Sequence, residues 1–144
     1  MNDFIEERII AAIKRLLTGQ ANELLKDAML QIPLIEFGSY EGKTVVAPEI
    51  RLNTCERTEK ERIVRHDAYT LTITFTLPES PESEKHCYAY ASAVFWALGN
   101  DPTLNGTVNR AMVSSKKYKT PKKPNCGETW GVELSLRVTV ENDR

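Results

Sequence analysis

The amino-acid sequence predicts an α+β fold, in which a mixed or antiparallel β-sheet with a long hairpin is flanked by an N-terminal helix and a central helix. Apolar and polar residues alternate strictly over residues 69–77 and 130–140, which is the pattern of strands that bury one face. Near the N-terminus apolar residues instead recur every three or four positions, which predicts an amphipathic helix. Helices and strands do not alternate one by one, so the order favours this fold class over a Rossmann-type fold.

Two helices frame the strand-rich middle of the chain. The first is expected over residues 3–18 with Gly19 as its stop, and residues 21–30 have room for a further short helical turn before Pro33. The second is expected from about Glu82 to Leu98, where Gly99 closes it. The apolar stripe of the first helix consists of Ile5, Ile9, Ala12, Ile13, Leu16 and Leu17.

The remaining strands are indicated by shorter patterns. Val46, Ile50 and Leu52 share one side of a strand, and the highly charged residues 54–65 are expected to form the extended ends of a long hairpin. A further strand is expected over residues 107–115, followed by a loop of basic residues and prolines over residues 116–127. No internal repeat or low-complexity linker interrupts the sequence, so residues 1–144 are predicted to form one domain.

Composition narrows the class of function. The chain has 144 residues, 41% hydrophobic and 27% charged, and a net charge of −1, which predicts no global attraction to nucleic acid or to an anionic membrane. No apolar stretch approaches the ~18 residues that span a bilayer, and charged residues interrupt the N-terminus, so a cytoplasmic protein without a membrane partner is expected. Three cysteines without a C-x-x-C spacing are expected to stay reduced.

Residues that carry chemistry do not form a recognisable constellation. The possible metal ligands Cys55, His66, His86 and Cys126 lack the close paired spacing of zinc sites. Cys87 falls on the apolar side of its helix, where a buried inert thiol is expected. The sequence contains neither a G-x-S-x-G motif nor a glycine-rich phosphate loop. We therefore expect no enzymatic activity, no cofactor and no metal.

The central helix carries the strongest signal for association. Residues 86–100 contain no charged side chain, and at 100° per residue one apolar stripe should pack on the sheet: Cys87, Tyr90, Ala91, Val94 and Leu98. Trp96 lies almost opposite that stripe, flanked by Ala89, Ser92 and Ala93. Either the first helix covers this second face within the monomer, or another subunit or partner covers it, with Trp96 as the anchor.

A basic segment is the second candidate site. It contains no acid and comprises Arg110, Lys116, Lys117, Tyr118, Lys119, Lys122 and Lys123. Two interpretations stay open: contact with a phosphate backbone or an acidic partner, or a hairpin whose lysines protect a sheet edge from aggregation. The row of Thr70, Thr72, Thr74 and Thr76 is either a solvated face or a flat docking face.

The end of the central helix suggests a family. Residues 93–108, AVFWALGNDPTLNGTV, run from the helix through an Asp-x-x-Leu-x-Gly linker into a strand. This passage and the order of elements resemble the tail terminator (tail completion) proteins of long-tailed bacteriophages and prophages, which are minor tail proteins. The resemblance implies a subunit that assembles with itself into a ring, typically a hexamer, in the host cytoplasm and remains in the virion tail. It implies as partners the tail tube protein, the head-completion protein and DNA passing through the lumen. The alternative is a small non-catalytic module that binds a protein or ligand and is unrelated to phage.

Overall fold

The computed structural model describes residues 4–27, 32–38, 45–59, 64–122 and 128–143. Helical structure begins with α1 (Ile5–Leu16), continues through a π-helical segment (Leu17–Ala21) and ends with α2 (Asn22–Asp27). The strands are β1 (Leu34–Ile35), β2 (Val45–Val46), β3 (Glu49–Glu59), β4 (Val64–Leu77), β5 (Arg110–Lys119) and β6 (Trp130–Asp143), and the central helix α3 (Ser83–Asn100) lies between β4 and β5 in the sequence.

A four-stranded antiparallel sheet in the order β3–β4–β6–β5 forms the centre of the fold. Strands β4 and β6 pair along their whole length, from Val64 opposite Asp143 to Leu77 opposite Trp130. The short strands β1 and β2 form a separate parallel pair. Helices at the N-terminus and between β4 and β5, together with this sheet, confirm the predicted α+β class.

One face of the sheet carries the hydrophobic core. The alternation in β4 and β6 places their apolar side chains on that face, where Phe75 stacks against Tyr90 of α3 with ring centroids 4.7 Å apart. The predicted stripe of α3 is buried here as well, and α3 also contacts the π-helical segment beside it. On the opposite face lie Thr70, Thr72 and Thr74, which are half-buried, and Thr76, which is exposed.

The predicted stop at Gly19 is wrong, because helical structure continues through it to Asp27. A glycine inside a helix costs about 1 kcal/mol relative to alanine, which buried contacts readily outweigh. Here Leu17, Ala21 and Leu25 are all at most 1% exposed, so packing holds the segment helical. Leu17 and Ala21 lie in the π-helical segment, and Leu25 lies in α2.

The predicted boundary between strand and basic loop is also wrong. Strand β5 begins at Arg110 and runs through Lys119, so the first four residues of the predicted loop, 116–119, are part of the strand. The chain first turns at Leu104, Asn105 and Gly106, which all have positive φ, and this turn delays the strand. Lysines are tolerated in β5 because it is an outer strand whose side chains reach solvent.

The prediction that Val46 shares a strand with Ile50 and Leu52 is wrong, because Val46 lies in β2, which pairs with β1, and Pro48, which has no backbone N–H, separates it from β3. The remaining predicted strands are present, with β4 starting at Val64 and β6 ending at Asp143. Strands β3 and β4 form the long hairpin, while its connecting residues 60–63 lie outside the described part of the chain. Helix α3 begins at Ser83 and ends at Asn100, one residue past the predicted closing Gly99. Its first turn is tied to the preceding loop by the Ser83 hydroxyl, which contacts the Pro78 carbonyl and the Ser80 hydroxyl.

Candidate binding surface

Trp96 projects from the outer face of α3. Its side chain is 60% exposed, the neighbouring Ser92 is exposed and Ala89 is half-buried. Ala93, which the sequence places on the same face, is only 4% exposed, so this part of the predicted surface is corrected. Ala93 belongs to the hydrophobic core, because α3 packs against the π-helical segment and α2 as well as against the sheet. We call the exposed part, Ala89, Ser92 and Trp96, the Trp96 face.

A second group of exposed aromatic residues lies where α3 meets the edge of the sheet. The ring of Tyr118 on β5 contacts the ring of Tyr88 on α3 edge-on, with centroids 5.4 Å apart. The Lys116 Nζ atom lies 5.8 Å from the ring centroid of Phe95, a distance at which a cation is attracted to an aromatic face. We call these four residues the α3–β5 surface. Their rings remain 41–53% exposed despite these contacts.

Tyr88 is oriented by a carboxylate. Its hydroxyl donates a hydrogen bond of 2.8 Å to Glu84 Oε1, one helical turn earlier. This hydrogen bond raises the pKa of the Tyr88 hydroxyl, so the side chain stays a neutral donor over the physiological pH range. Glu84 is thereby engaged by a residue of its own helix.

A β-bulge decides which basic side chains reach the helix. Val113 lies opposite Leu136 on the core face, and the register then shifts between Val113 and Ser115. After the shift, Lys116 and Tyr118 lie opposite the buried Leu134 and Val132, and therefore on the helix side of the sheet.

The other basic residues have different places. Lys117 and Lys119 lie opposite Glu133 and Gly131, on the face without helices. Arg110 is exposed at the start of β5, opposite Thr139. Lys122 follows the strand, with its backbone N–H bonded to Glu128 Oε2. The predicted Lys123 lies outside the described residues.

The preceding turn covers the outer edge of β5 at its beginning and leaves it uncovered further along the strand. The Ala111 N–H donates to the Pro102 carbonyl, so the preceding turn covers the beginning of the edge. The stretch after the bulge, residues 116–119, carries three lysines, which is how natural sheets prevent uncontrolled edge pairing. This is the protection of a sheet edge that one of the two interpretations of the basic segment describes.

Two of the larger grooves among the described residues border β5. The first, of about 560 Å³, lies between the C-terminal half of α3 and the start of β5, with Phe95, Leu98, Pro102 and Met112 in its wall. The second, of about 590 Å³, lies towards the other end of β5, and its wall includes Thr74, Thr76, Lys117, Lys119, Lys122 and Gly131. At Gly131 an added Cβ atom would come within 3.0 Å of the Phe75 carbonyl oxygen, so the lack of a side chain there deepens the groove.

Sequence reasoning found Trp96, Lys116 and Tyr118 but missed Tyr88 and Phe95. The two missed residues are seven positions apart, which places both on one side of α3 at 100° per residue. That spacing was available from the sequence. The side of the helix on which β5 lies was not, because it depends on the sheet order and on the bulge.

Cys126, one of the candidate metal ligands, lies outside the described residues, and the described candidates occupy separate places in the fold. Cys87 is buried, and burial, with a smaller effect of Glu84, raises the pKa of its thiol to about 11. Cys55 is exposed opposite Tyr69, whereas His66 lies on the other face of the sheet. Within the described ranges, no group of three or more His, Cys, Asp or Glu side chains is arranged to hold a metal ion.

Helices long and apolar enough to cross a membrane do not occur in the part of the chain that the structure covers. In comparisons with known proteins, no family model matches the chain. No curated protein matches it either.

Proposed function

We propose that this chain is a non-catalytic assembly protein of a long-tailed phage or prophage, a tail terminator whose copies form a ring. The ring, of six copies as the family resemblance implies, caps the tail tube and joins it to the head-completion protein. Support comes first from the order of elements: an N-terminal helix, a long hairpin, a central helix and a final strand pair. This is the order on which the resemblance rests.

The observation that carries the proposal is the exposure of Trp96. One stripe of α3 is buried in the protomer's own core, yet Trp96 is 60% exposed on a face of small side chains. Tryptophan surrounded by small residues is a frequent anchor of protein interfaces, because its large ring is desolvated when the partner closes over it. A neighbouring subunit that covers the Trp96 face desolvates the Trp96 ring in this way.

Ring closure requires that two different patches of each subunit meet, because an identical patch on both subunits gives only a closed dimer. The β3–β4 hairpin supplies a second patch: β3 has 11 residues and β4 has 14, with charged side chains of both signs towards the hairpin end. A hairpin of this length is able to reach an adjacent subunit.

Tube polymerisation provides the experiment. The tail tube protein from the same genome is allowed to polymerise with and without the purified chain, and tube lengths are measured by negative-stain electron microscopy. We expect the chain to label tube ends and to stop elongation, Trp96→Ser to lose both effects, and Phe4→Ser, a change at another exposed aromatic residue, to retain them. Tubes that elongate equally with and without the chain would contradict the proposal.

A second candidate is a small non-catalytic binding module unrelated to phage. The groove of about 560 Å³ between α3 and β5 favours it, because its volume falls in the range of small-ligand sites and Phe95, Leu98 and Met112 give it an apolar wall. This candidate predicts a monomer whose mass does not change when tail tube protein is added.

A further inference from the structure

We propose that the α3–β5 surface binds single-stranded nucleic acid, with bases stacked on its aromatic rings and a phosphate held by Lys116 on the same face of the sheet. This inference goes beyond the assembly function and does not depend on ring formation. It uses the side of α3 that faces β5, whereas the assembly function uses the Trp96 face.

The charge of β5 fits a polyanion. Between residues 110 and 122 the chain has five cations and no acid, although the whole protein carries a net charge of −1. The cations are thus concentrated along one edge of the sheet, which is the electrostatic pattern of a nucleic-acid site in an otherwise neutral protein. Three nearby acids offset them in part: Glu133 lies opposite Lys117 in the sheet register, Glu128 accepts from the Lys122 N–H, and Glu84 accepts the Tyr88 hydrogen bond.

The aromatic rings fit unpaired bases. Tyr88, Phe95 and Tyr118 expose 50%, 53% and 41% of their surface on the face of the sheet that also carries Lys116. The edge-on contact of Tyr88 and Tyr118, at an interplanar angle of 77°, leaves ring faces accessible. Surfaces that combine a cationic track with such rings bind single strands without strong sequence preference, because every base has a flat face to stack.

A single strand fits better than the other polyanions or a second copy. A duplex offers its phosphates but keeps its bases paired, so the rings would gain little from it. An acidic peptide uses the lysines alone. A second copy lacks a matching partner among the described strands, since β3 mixes Glu49 and Glu56 with Arg51 and Arg57, and β6 likewise carries both signs.

Fluorescence anisotropy with a labelled oligothymidylate of about 16 nucleotides tests the proposal over a series of salt concentrations. We expect Tyr118→Ser to raise the dissociation constant at least about fivefold while the salt dependence stays the same, because a stacking contact releases no counterions. We expect Lys116→Gln to lower the slope of log K against log salt by about 0.7, since each phosphate contact to a single strand contributes ~0.7. Matched controls are Phe4→Ser and Lys26→Gln on the N-terminal helices, which should leave both quantities unchanged.

Three results would overturn the proposal. The first is no binding of the oligonucleotide at about 50 mM salt. The second is equal binding of a duplex of the same length with no effect of Tyr118→Ser, which indicates attraction by charge alone. The third is equal displacement of the oligonucleotide by polyglutamate, which indicates a site for an acidic protein. Trp96→Ser separates this proposal from the assembly function. If that variant loses self-association and keeps oligonucleotide binding, the two surfaces act independently, and failure of one proposal leaves the other standing.

Discussion

Replacing Asn22 with alanine should remove the contact that fixes the segment before the hairpin to the N-terminal helices. The Asn22 side chain is 6% exposed and acts like a neighbouring strand: its Nδ2 donates to the Ile35 carbonyl at 2.8 Å, and its Oδ1 accepts from the Ile35 N–H at 2.8 Å. Nδ2 also donates to the Thr18 carbonyl at 3.1 Å. Ile35 itself is fully buried, so water does not replace the lost partner in the variant.

The expected loss of folding stability in Asn22→Ala follows from these hydrogen bonds. Each neutral hydrogen bond contributes about 1 kcal/mol net, and a buried backbone group left without a partner costs about 1–3 kcal/mol. We therefore expect Asn22→Ala to lower the free energy of unfolding by about 3 kcal/mol or more, a large part of the 5–15 kcal/mol typical of a domain. Urea unfolding followed by circular dichroism measures this.

The control is Asn53→Ala, at an exposed asparagine that accepts one hydrogen bond from Thr72, and it should change stability by less than about 0.5 kcal/mol. Equal losses in the two variants would refute the assignment of Asn22 as the buried tie between helix and strand.

Two further predictions concern ionisable groups. In a Cys126→Ser background, the exposed Cys55 should react readily with a thiol reagent at pH 8. Cys87 should react only on unfolding, because it is buried and its pKa is raised to about 11. Fast modification of both thiols in the folded protein would contradict this prediction. Burial raises the pKa of Tyr90, so its neutral form is favoured in the folded state. The free energy of unfolding should therefore be at its full value below the unfolded pKa of about 10 and should fall as the pH rises above it. In denaturant titrations, Tyr90→Phe should make this fall shallower by up to about 1.4 kcal/mol per pH unit. An unchanged alkaline slope in that variant would show that Tyr90 is not the group responsible.

The sheet was predictable from the sequence because its central strands follow one simple rule. In β4 and β6 the buried side chains, such as Ile73 and Leu134, occupy every second position without interruption. Alternation over this length leaves little choice of register or of face, because a shift by one residue would expose the whole apolar set.

The candidate surface was only partly predictable, for a physical reason located in β5. Continuing the alternation from Val113 would place Lys117 on the helix side, whereas the bulge brings Lys116 there, over Phe95. A single inserted residue thus exchanges the two faces of the strand. The extension of helix past Gly19 has a similar origin, since tertiary packing outweighs a local preference.

The native mass of the purified chain tests the central claim, that the Trp96 face is covered by a second copy, most directly. Sedimentation velocity over a wide range of concentration, with and without tail tube protein, measures that mass. The account predicts a species of about six times the 16.3 kDa protomer, which Trp96→Ser dissociates and Phe4→Ser leaves intact. A 16.3 kDa species under all these conditions would contradict it.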